Sequence, residues 1–438
     1  MNSSATVSFS LSSDARAGLS KKARVSLMVG LIALGFSAVG FVLAATGEGP
    51  AAARPLLGWL LGFGFWLSIA LGMLLLTMLS YLFDSSWTTV VRRQLEHGVS
   101  AFKWLAVLFV PLIIVAVYVN PDSLWAWMDN SSLAPGGHGK VGEDYLYKKK
   151  SPFLNPQSFL IFSIAFFAIV IALAELLRRH SFAMDKDGDV RHCTICYRLS
   201  AAGAPIVGLL LTFGAIYWFK SLEYHWFSTM YGVWYFAASM WATCALLIIV
   251  LVTLSKEGKP LAGIIRKPHI YFISCLLFAF TVFWAYISFS QYFLIYNANI
   301  PEETFWYNIR QFSIVDGKSV LNSWFWVSWI LILGHFLFPF LFLLWHKNKF
   351  GKAVLFISIF ALLMHVVDMY WNILPARLPN HDNILHYSVR EFNISIWDIS
   401  AFIGIGGLCV WSFLRSMQQT FLVPIRDPRI KESLHAQQ

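Results

Sequence analysis

An apolar segment in the last quarter of the chain carries two ionisable side chains three positions apart. Residues 364–371 read Met-His-Val-Val-Asp-Met-Tyr-Trp and lie inside an apolar run that covers residues 352–374. At that spacing His365 and Asp368 share one face of a helix. Because a carboxylate in hydrocarbon costs about 2.5–3.5 kcal/mol on insertion scales, the pair is first interpreted as functional, for proton transfer or quinone chemistry. The alternative is a hydrogen-bonded structural pair.

Two further side chains extend this hypothesis to a proton path. Asp398 lies in Ile-Ser-Ile-Trp-Asp-Ile-Ser, at the outer end of the last apolar run, where it could reach the level of Asp368. Two carboxylates at one depth can share a proton if they are close. Glu175 lies at the opposite membrane face and is a candidate for proton uptake, or else a carboxylate that pairs with the neighbouring arginines.

His335 is the third intramembrane candidate for the proton path. It precedes Pro339 by four residues, so the missing donor of the proline leaves a backbone carbonyl available near the imidazole. Haem ligation by His335 and His365 is disfavoured, because their depths, counted at about 1.5 Å per residue, differ by several ångströms. The sequence therefore predicts no bound metal.

The predicted outer loops contain side chains that suit a quinone headgroup or a proton exit. A quinone needs donors to its two carbonyl oxygens, a proton acceptor and aromatic neighbours. Two outer segments, 221–226 and 296–303, supply such groups, and ordinary interfacial loop chemistry is the alternative. The candidates are Glu223, Tyr224, His225, Glu302 and Glu303.

Composition places the chain among polytopic membrane proteins. Of its 438 residues 58% are hydrophobic, and the mean hydropathy is +0.62. Only 13% are charged, against about 25% in soluble domains. The net charge of +10 is explained by basic loops rather than by nucleic-acid binding, because cytoplasmic loops of membrane proteins carry excess Lys and Arg.

Apolar runs long enough to cross a bilayer predict an all-α fold with ten transmembrane helices. The runs lie at 25–46, 56–83, 101–119, 157–177, 199–219, 229–254, 271–296, 320–345, 352–374 and 393–416. Alternate connections carry 23 and 10 of the 33 Lys and Arg residues, so the richer side, with both termini, is predicted to be cytoplasmic. We expect one integral membrane domain over 1–438, with cytoplasmic tails at 1–24 and 417–438 and a long outer loop at 120–156.

No motif for independent catalysis occurs in a credible context. The chain has no P-loop, dinucleotide fingerprint, zinc-protease motif or nucleophile elbow. We therefore assign no catalytic residues.

Four segments carry a resemblance to a known family. They are Ser290–Glu303 (SQYFLIYNANIPEE), Glu223–Gly232 (EYHWFSTMYG), Gly334–Phe340 (GHFLFPF) and Asp368–Trp371 (DMYW). Together they resemble the ActF-type membrane subunits of bacterial alternative complex III, within the NrfD/polysulfide-reductase-C family. The resemblance covers essentially the whole chain.

The resemblance implies a fold of two four-helix bundles plus two additional helices in the bacterial inner membrane. It implies a complex that oxidises menaquinol or ubiquinol and passes electrons to a cytochrome c or an oxidase. The implied partners are the sister subunit ActC, periplasmic multihaem cytochrome c and iron–sulfur subunits, small membrane subunits, a haem-copper oxidase and lipids. The chain itself would hold no redox metal, and the candidates named above would form its proton path or quinone pocket.

Two other classes of function remain open from the residues alone. A structural scaffold would anchor the outer haem and iron–sulfur subunits, and its polar pair could become apolar without loss of turnover. An independent ion transporter would work in isolation and would have discontinuous helices around a midplane site.

Overall fold

A computed structural model describes residues 13–47, 49–121, 123–134, 139–315, 317–375 and 390–435. Within these residues ten helices are long and apolar enough to cross a membrane. The spans are Ser13–Thr46, Ala52–Leu82, Ser86–Val119, Pro156–Asp187, Arg191–Glu223, Tyr231–Leu254, Lys267–Ala298, Ser323–Leu344, Gly351–Ile373 and Ile396–Gln418. The prediction of an all-α polytopic membrane protein is confirmed.

Fifteen α-helices occur in the described residues, and several spans contain more than one. They are α1 (Ser13–Thr46), α2 (Gly49–Leu82), α3 (Thr89–Gly98), α4 (Phe102–Ile113), α5 (Tyr145–Lys150), α6 (Pro156–Asp187), α7 (Arg191–Gly214), α8 (Tyr231–Leu254), α9 (Lys267–Ala298), α10 (Pro301–Asn308), α11 (Ser323–Ile330), α12 (Phe338–Leu344), α13 (Gly351–Ile373), α14 (Ile396–Gln418) and α15 (Ile430–Leu434). An antiparallel hairpin joins β1 (Phe312–Val315) to β2 (Lys318–Leu321).

Three spans change helix type along their length. Ile114–Val119, Ala215–Phe219 and Leu331–Leu337 are π-helical, and each continues an α-helix. The third segment ends just before Pro339, which cannot donate to the carbonyl four residues earlier. π-Helical turns are rare in proteins overall, but where they occur they are frequently at functional sites. The third segment contains His335, one of the candidate site residues.

The spans form two four-helix groups that share a central contact. The first group contains α2, α4, α6 and α7; the second contains α8, α9, α13 and the span made of α11 and α12. α2 and α8 pack against each other at Gly72, and Thr243 donates to the carbonyl of Ile69 at 3.0 Å. These two helices are also the most buried spans, so they form the centre of the molecule.

α1 and α14 are the two additional helices, and they pair tightly. Gly30 and Gly407 bring their backbones together, since a Cβ on Gly407 would lie 2.5 Å from the Cα of Gly30. Ser26 donates to the carbonyl of Gly407 at 2.8 Å, and Ser37 donates to Ser400 at 2.9 Å. Small residues at such a crossing allow close helix packing in membranes.

Ten crossings place both described ends of the chain on one side, which we call the terminal side; the opposite side is the far side. The described residues of the predicted outer loop at 120–156 lie on the far side and pack onto the first group. Trp125 donates to the carbonyl of Trp218 at 3.3 Å, and Trp127 donates to that of Ser221 at 3.1 Å.

The described segments at both ends of the chain contain helices where the sequence predicted tails. α1 already begins at Ser13, so residues 13–24 of the predicted N-terminal tail continue the first span. After α14 the chain folds back, and the backbone N–H of Val90 donates to the hydroxyl of Ser433 at 3.3 Å. His269 donates to the carbonyl of Ser433 at 2.9 Å, which fixes α15 beneath the second group.

Candidate functional site

One face of α13 carries three buried polar side chains, as the sequence predicted for two of them. His365, Asp368 and Asn372 are all at least 90% buried. Asn372 donates to the side chain of Asp368 at 3.1 Å and to its carbonyl at 2.9 Å. The spacing of three and four residues aligns these groups along the helix.

Asp368 is held by neutral donors. Trp284 of α9 donates to its Oδ2 at 3.0 Å, and Trp234 of α8 also donates to the carboxylate. Among the residues that the structure describes, no lysine or arginine forms an ion pair with Asp368. Its closest ionisable neighbour is His335, whose Nε2 lies 3.9 Å from Oδ2. A fully buried carboxylate with no cationic partner is energetically costly, which is the reason to look for a function.

His335 lies between two indole rings. Trp241 and Trp284 stack on its opposite faces, with ring centroids 3.8 Å away in both cases. Within the described part of the chain neither of its ring nitrogens has a hydrogen-bond partner, although the residue is fully buried. Indole faces attract cations, so the stack suits an imidazolium as well as an imidazole.

His365 completes the group, which we call the triad: His335, His365 and Asp368. Ser68 of α2 contacts its Nε2 at 2.8 Å, whereas Nδ1 has no hydrogen-bond partner among the described residues. One nitrogen of each histidine and one carboxylate oxygen lie within 4.8 Å of one another. The triad therefore contains three proton-binding groups in one small buried volume.

The separation in depth predicted for the two histidines does not keep their side chains apart. His335 and His365 were expected several ångströms apart along the membrane normal, but their side chains meet in the triad. The π-helical segment around His335 departs from the straight 1.5 Å rise that the estimate assumed. The depth argument against ligation consequently fails. Imidazoles and carboxylates also bind divalent transition metals, and the expectation of no metal stays a prediction.

A polar connection leads from the triad toward the far side. Tyr231 is fully buried, its hydroxyl has no hydrogen-bond partner within the described ranges, and it interacts electrostatically with Asp368 and Arg310. Arg310 in turn interacts with Glu223, one of the predicted exit residues. These electrostatic neighbours follow one another from the membrane interior to the far-side loops.

Arg310 was not singled out from the sequence, yet it closes this end of the site. It donates to the carbonyls of Trp371 at 3.0 Å and Trp306 at 2.7 Å, and its guanidinium lies 3.4 Å from the ring centroid of Trp306. Burial lowers the pKa of Arg310 to about 9, against the opposite effects of Tyr231, Tyr307 and Glu223. It remains charged at neutral pH and satisfies carbonyls at the end of α13.

Asp398 lies in a different environment from Asp368. It occupies the third position of α14 in a capping box with Ser395, and it forms a salt bridge with Arg54 of α2. Tyr370 donates to it at 2.7 Å. Among the described residues, Asp398 therefore has a cationic partner, Arg54, whereas Asp368 has no lysine or arginine partner.

Glu175 lies at the terminal side, where the sequence placed it. Arg178 donates to it at 2.6 Å, and Lys103 lies 3.2 Å from the same oxygen. The three line a cavity of about 200 Å³, and Arg178 also donates to Ser416. This arrangement matches the alternative of a carboxylate paired with its neighbours.

The remaining far-side candidates form two pairs: Tyr224 and His225 contact a carboxylate, whereas Glu302 and Glu303 are at least partly accessible. Tyr224 donates to Asp144 at 2.7 Å, and His225 contacts the same carboxylate oxygen. Burial raises the pKa of Asp144, but hydrogen bonds from His225 and Tyr224 outweigh it and hold the pKa below its usual value. Glu302 is exposed and Glu303 half-buried, both in the first turn of α10.

The sequence analysis missed a second group of buried charges, which we call the ionic cluster: Arg92, Arg93, Glu96, Asp185 and Asp427. Arg92 donates to Asp427 at 2.6 Å and to Glu96 at 3.2 Å, while Arg93 donates to Asp185 at 2.5 Å. The two arginines had been counted only as basic residues of a cytoplasmic loop. Glu96 could have indicated the cluster from the sequence, because it follows Arg92 by four residues and Arg93 by three. On a helix, residues at these spacings are neighbours.

Comparison with protein-family profiles and with curated protein sequences finds no match to this chain.

Proposed function

We propose that the chain is a membrane subunit of a quinol:cytochrome c, or quinol:oxidase, electron-transfer complex and that it contributes a proton path. The observation that supports this best is the triad, where His335 lies 3.9 Å from the buried carboxylate of Asp368. Among the described residues the ring nitrogens of His335 have no hydrogen-bond partner and Asp368 has no lysine or arginine partner. Such a group can take up a proton without breaking an ion pair.

The triad suits proton transfer for a second reason. In solution the pKa values of carboxyl and imidazole groups differ by about 2–3 units, so a proton moves between neighbouring groups when the local charge changes. Electron transfer in a partner subunit supplies such a change. Tyr231, Arg310 and Glu223 then provide a polar route to the far side.

A quinone site in this chain receives less support than a proton path. Tyr224 and His225, two of the donors proposed for menaquinone or ubiquinone, are both directed at Asp144. We place quinol oxidation beside this subunit, in the sister subunit ActC. The other proposed partners are multihaem cytochrome c and iron–sulfur subunits, small membrane subunits and a haem-copper oxidase.

The proposed location is the bacterial inner membrane, with the terminal side in the cytoplasm. The bias of Lys and Arg toward that side supports it. On this orientation the proton route opens toward the periplasm, where the haem and iron–sulfur subunits would sit.

A structural scaffold is the second candidate. The observation that favours it is the ionic cluster, whose buried ion pairs join α3 to α6 and to the C-terminal segment. The transporter is the third, and the changes of helix type within the described spans, at the three π-helical segments and at the 3-10 turn Val99–Ala101, favour it.

Affinity purification from the native bacterial membrane tests the proposal. The tagged chain, extracted in a mild detergent, should bring down c-type haem and iron–sulfur proteins together with quinol:cytochrome c reductase activity. An untagged strain is the matched control. Recovery of the chain alone, with ion transport activity after reconstitution, would refute the proposal in favour of the transporter.

A further inference from the structure

A groove runs along the pair α1 and α14 on the terminal half of the molecule. It has a volume of about 800 Å³ and is bounded by α1, α14 and one residue of α2, Trp66. Lys21 and Lys22 lie at its rim and are exposed. Below them the wall consists of glycines, one serine and apolar side chains, among them Val25 and Val29.

The depth of the groove matches one leaflet of a bilayer. From Lys21 to Val29 the helix rises about 12 Å, and from Leu414 to Phe402 about 18 Å, at about 1.5 Å per residue. Half of a hydrocarbon core of about 30 Å is about 15 Å. The groove therefore begins near the headgroup level and ends near the bilayer midplane.

Below the rim, the polar groups of the wall already have partners. The hydroxyl of Ser26 donates to the carbonyl of Gly407, and the indole N–H of Trp66 donates to that of Phe402 at 3.0 Å. Neither is available to the carbonyl oxygens of a quinone ring. An acyl chain needs no donor, so the wall favours a lipid tail.

We propose that this groove binds an anionic phospholipid, with its phosphate at Lys21 and Lys22 and one acyl chain along Val25 and Val29. Charge complementarity at the rim selects the headgroup, since each lysine near a membrane surface attracts anionic lipid. The proposal is independent of the electron-transfer function.

The geometry also explains why the groove is open. Gly406 and Gly407 contribute no side chains, and a Cβ on Gly406 would lie 2.3 Å from the ring of Trp66. Side chains at these positions would displace Trp66 or separate α1 from α14. The same glycines that allow α1 to pack on α14 thus leave the adjoining space unfilled.

Native mass spectrometry of the protein, as purified with whatever subunits accompany it, tests the site. Dioleoyl phosphatidylglycerol is the anionic probe and dioleoyl phosphatidylcholine the neutral one. The double variant Lys21→Gln/Lys22→Gln should bind the anionic lipid about 10-fold more weakly. The matched control Lys256→Gln/Lys259→Gln removes the same charge from an exposed loop on the same side and should bind as the wild type does.

A second pair of variants tests the acyl chain separately. Val29→Trp fills the groove, whereas Ile32→Trp adds the same ring at a lipid-facing position that does not line it. Val29→Trp should lose the bound lipid and Ile32→Trp should keep it. Equal binding by both, equal binding of the two lipids, or release of a quinone or a subunit instead of phosphatidylglycerol would overturn the proposal.

Discussion

The triad and the ionic cluster are both buried, but their charges are matched differently. In the ionic cluster Arg92 and Arg93 face three carboxylates, and Arg429 adds a third cation beside Asp427 at 3.0 Å. In the triad Asp368 faces two histidines and neutral indole donors. Permanent charges neutralise the ionic cluster, whereas in the described part of the chain Asp368 has no permanent cation and would be neutralised by a proton or a bound cation.

This difference in charge matching indicates a structural role for the ionic cluster and distinguishes it from the triad, for which we propose a function. Breaking a buried ion pair leaves an uncompensated charge, so each member of the ionic cluster is required for the fold. The cluster also joins three distant parts of the chain, α3, α6 and the C-terminal segment. The triad joins helices as well, but three of its four histidine nitrogens have no hydrogen-bond partner among the described residues. The proton transfer proposed above would account for such a group.

The largest effect should come from Arg93→Ala. The change leaves Asp185 and Glu96 buried with less positive charge, which should lower the free energy of unfolding by about 3–5 kcal/mol. Thermal melting and the yield of folded protein in the membrane measure it. Lys103→Gln is the control, since Lys103 is 55% exposed and its pair with Glu175 contributes about 0–1 kcal/mol. Equal melting of the two variants would refute the structural role of the cluster.

Gly72→Ala separates the contribution of packing from that of charge. A Cβ at this position would lie 2.2 Å from the hydroxyl of Thr243 and 2.6 Å from the carbonyl of Ser239, so α2 and α8 must move apart. Overpacking of this kind costs about 1–3 kcal/mol, measured as a fall in melting temperature. Gly35→Ala meets no atom within 4 Å and should melt as the wild type does. The same loss in both would show that the close approach of α2 and α8 at Gly72 is not its cause, because alanine raises helix propensity at both positions.

His335→Phe should behave in the opposite way to Arg93→Ala. Phenylalanine keeps a ring between Trp241 and Trp284 and removes two unbonded nitrogens, so the stability should change by less than about 1 kcal/mol. Proton transfer should nevertheless fail. Melting temperature and proton release, measured on the same preparation, test both parts. A loss of stability comparable to that of Arg93→Ala would place His335 with the structural charges.

The weakest effect should be at Asp144, a carboxylate of the far-side loop. Its pKa lies below the usual value, so the stabilisation is complete above about pH 4 and is lost as the pH falls through that lowered pKa. Hydrogen exchange of residues 141–150, corrected for the intrinsic rate, should therefore rise below pH 4. Asp144→Asn should show the raised exchange already at pH 6. If exchange in Asp144→Asn instead follows the pH dependence of the wild type, the hydrogen bonds from His225 and Tyr224 to Asp144 do not stabilise this loop.

Much of the fold was predictable because hydropathy and charge bias act over whole spans. The ten spans and the spacing of His365 and Asp368 followed directly from the sequence. The meeting of His335 with them did not, since a π-helical segment changes the register that a straight helix would give. The ionic cluster was missed for another reason: Arg92 and Arg93 satisfy the rule for basic loops whether or not they are buried.

The proton path is tested most directly by Asp368→Asn in the purified complex, reconstituted in liposomes. Asparagine retains an acceptor for Trp284 but cannot carry the proton, and Asp129→Asn, in a far-side loop, is the control. Quinol:cytochrome c turnover and protons released per electron are recorded after assembly has been verified. The account predicts continued turnover with a lower proton yield for Asp368→Asn alone. Unchanged turnover and proton yield in an intact complex would contradict it and favour the scaffold.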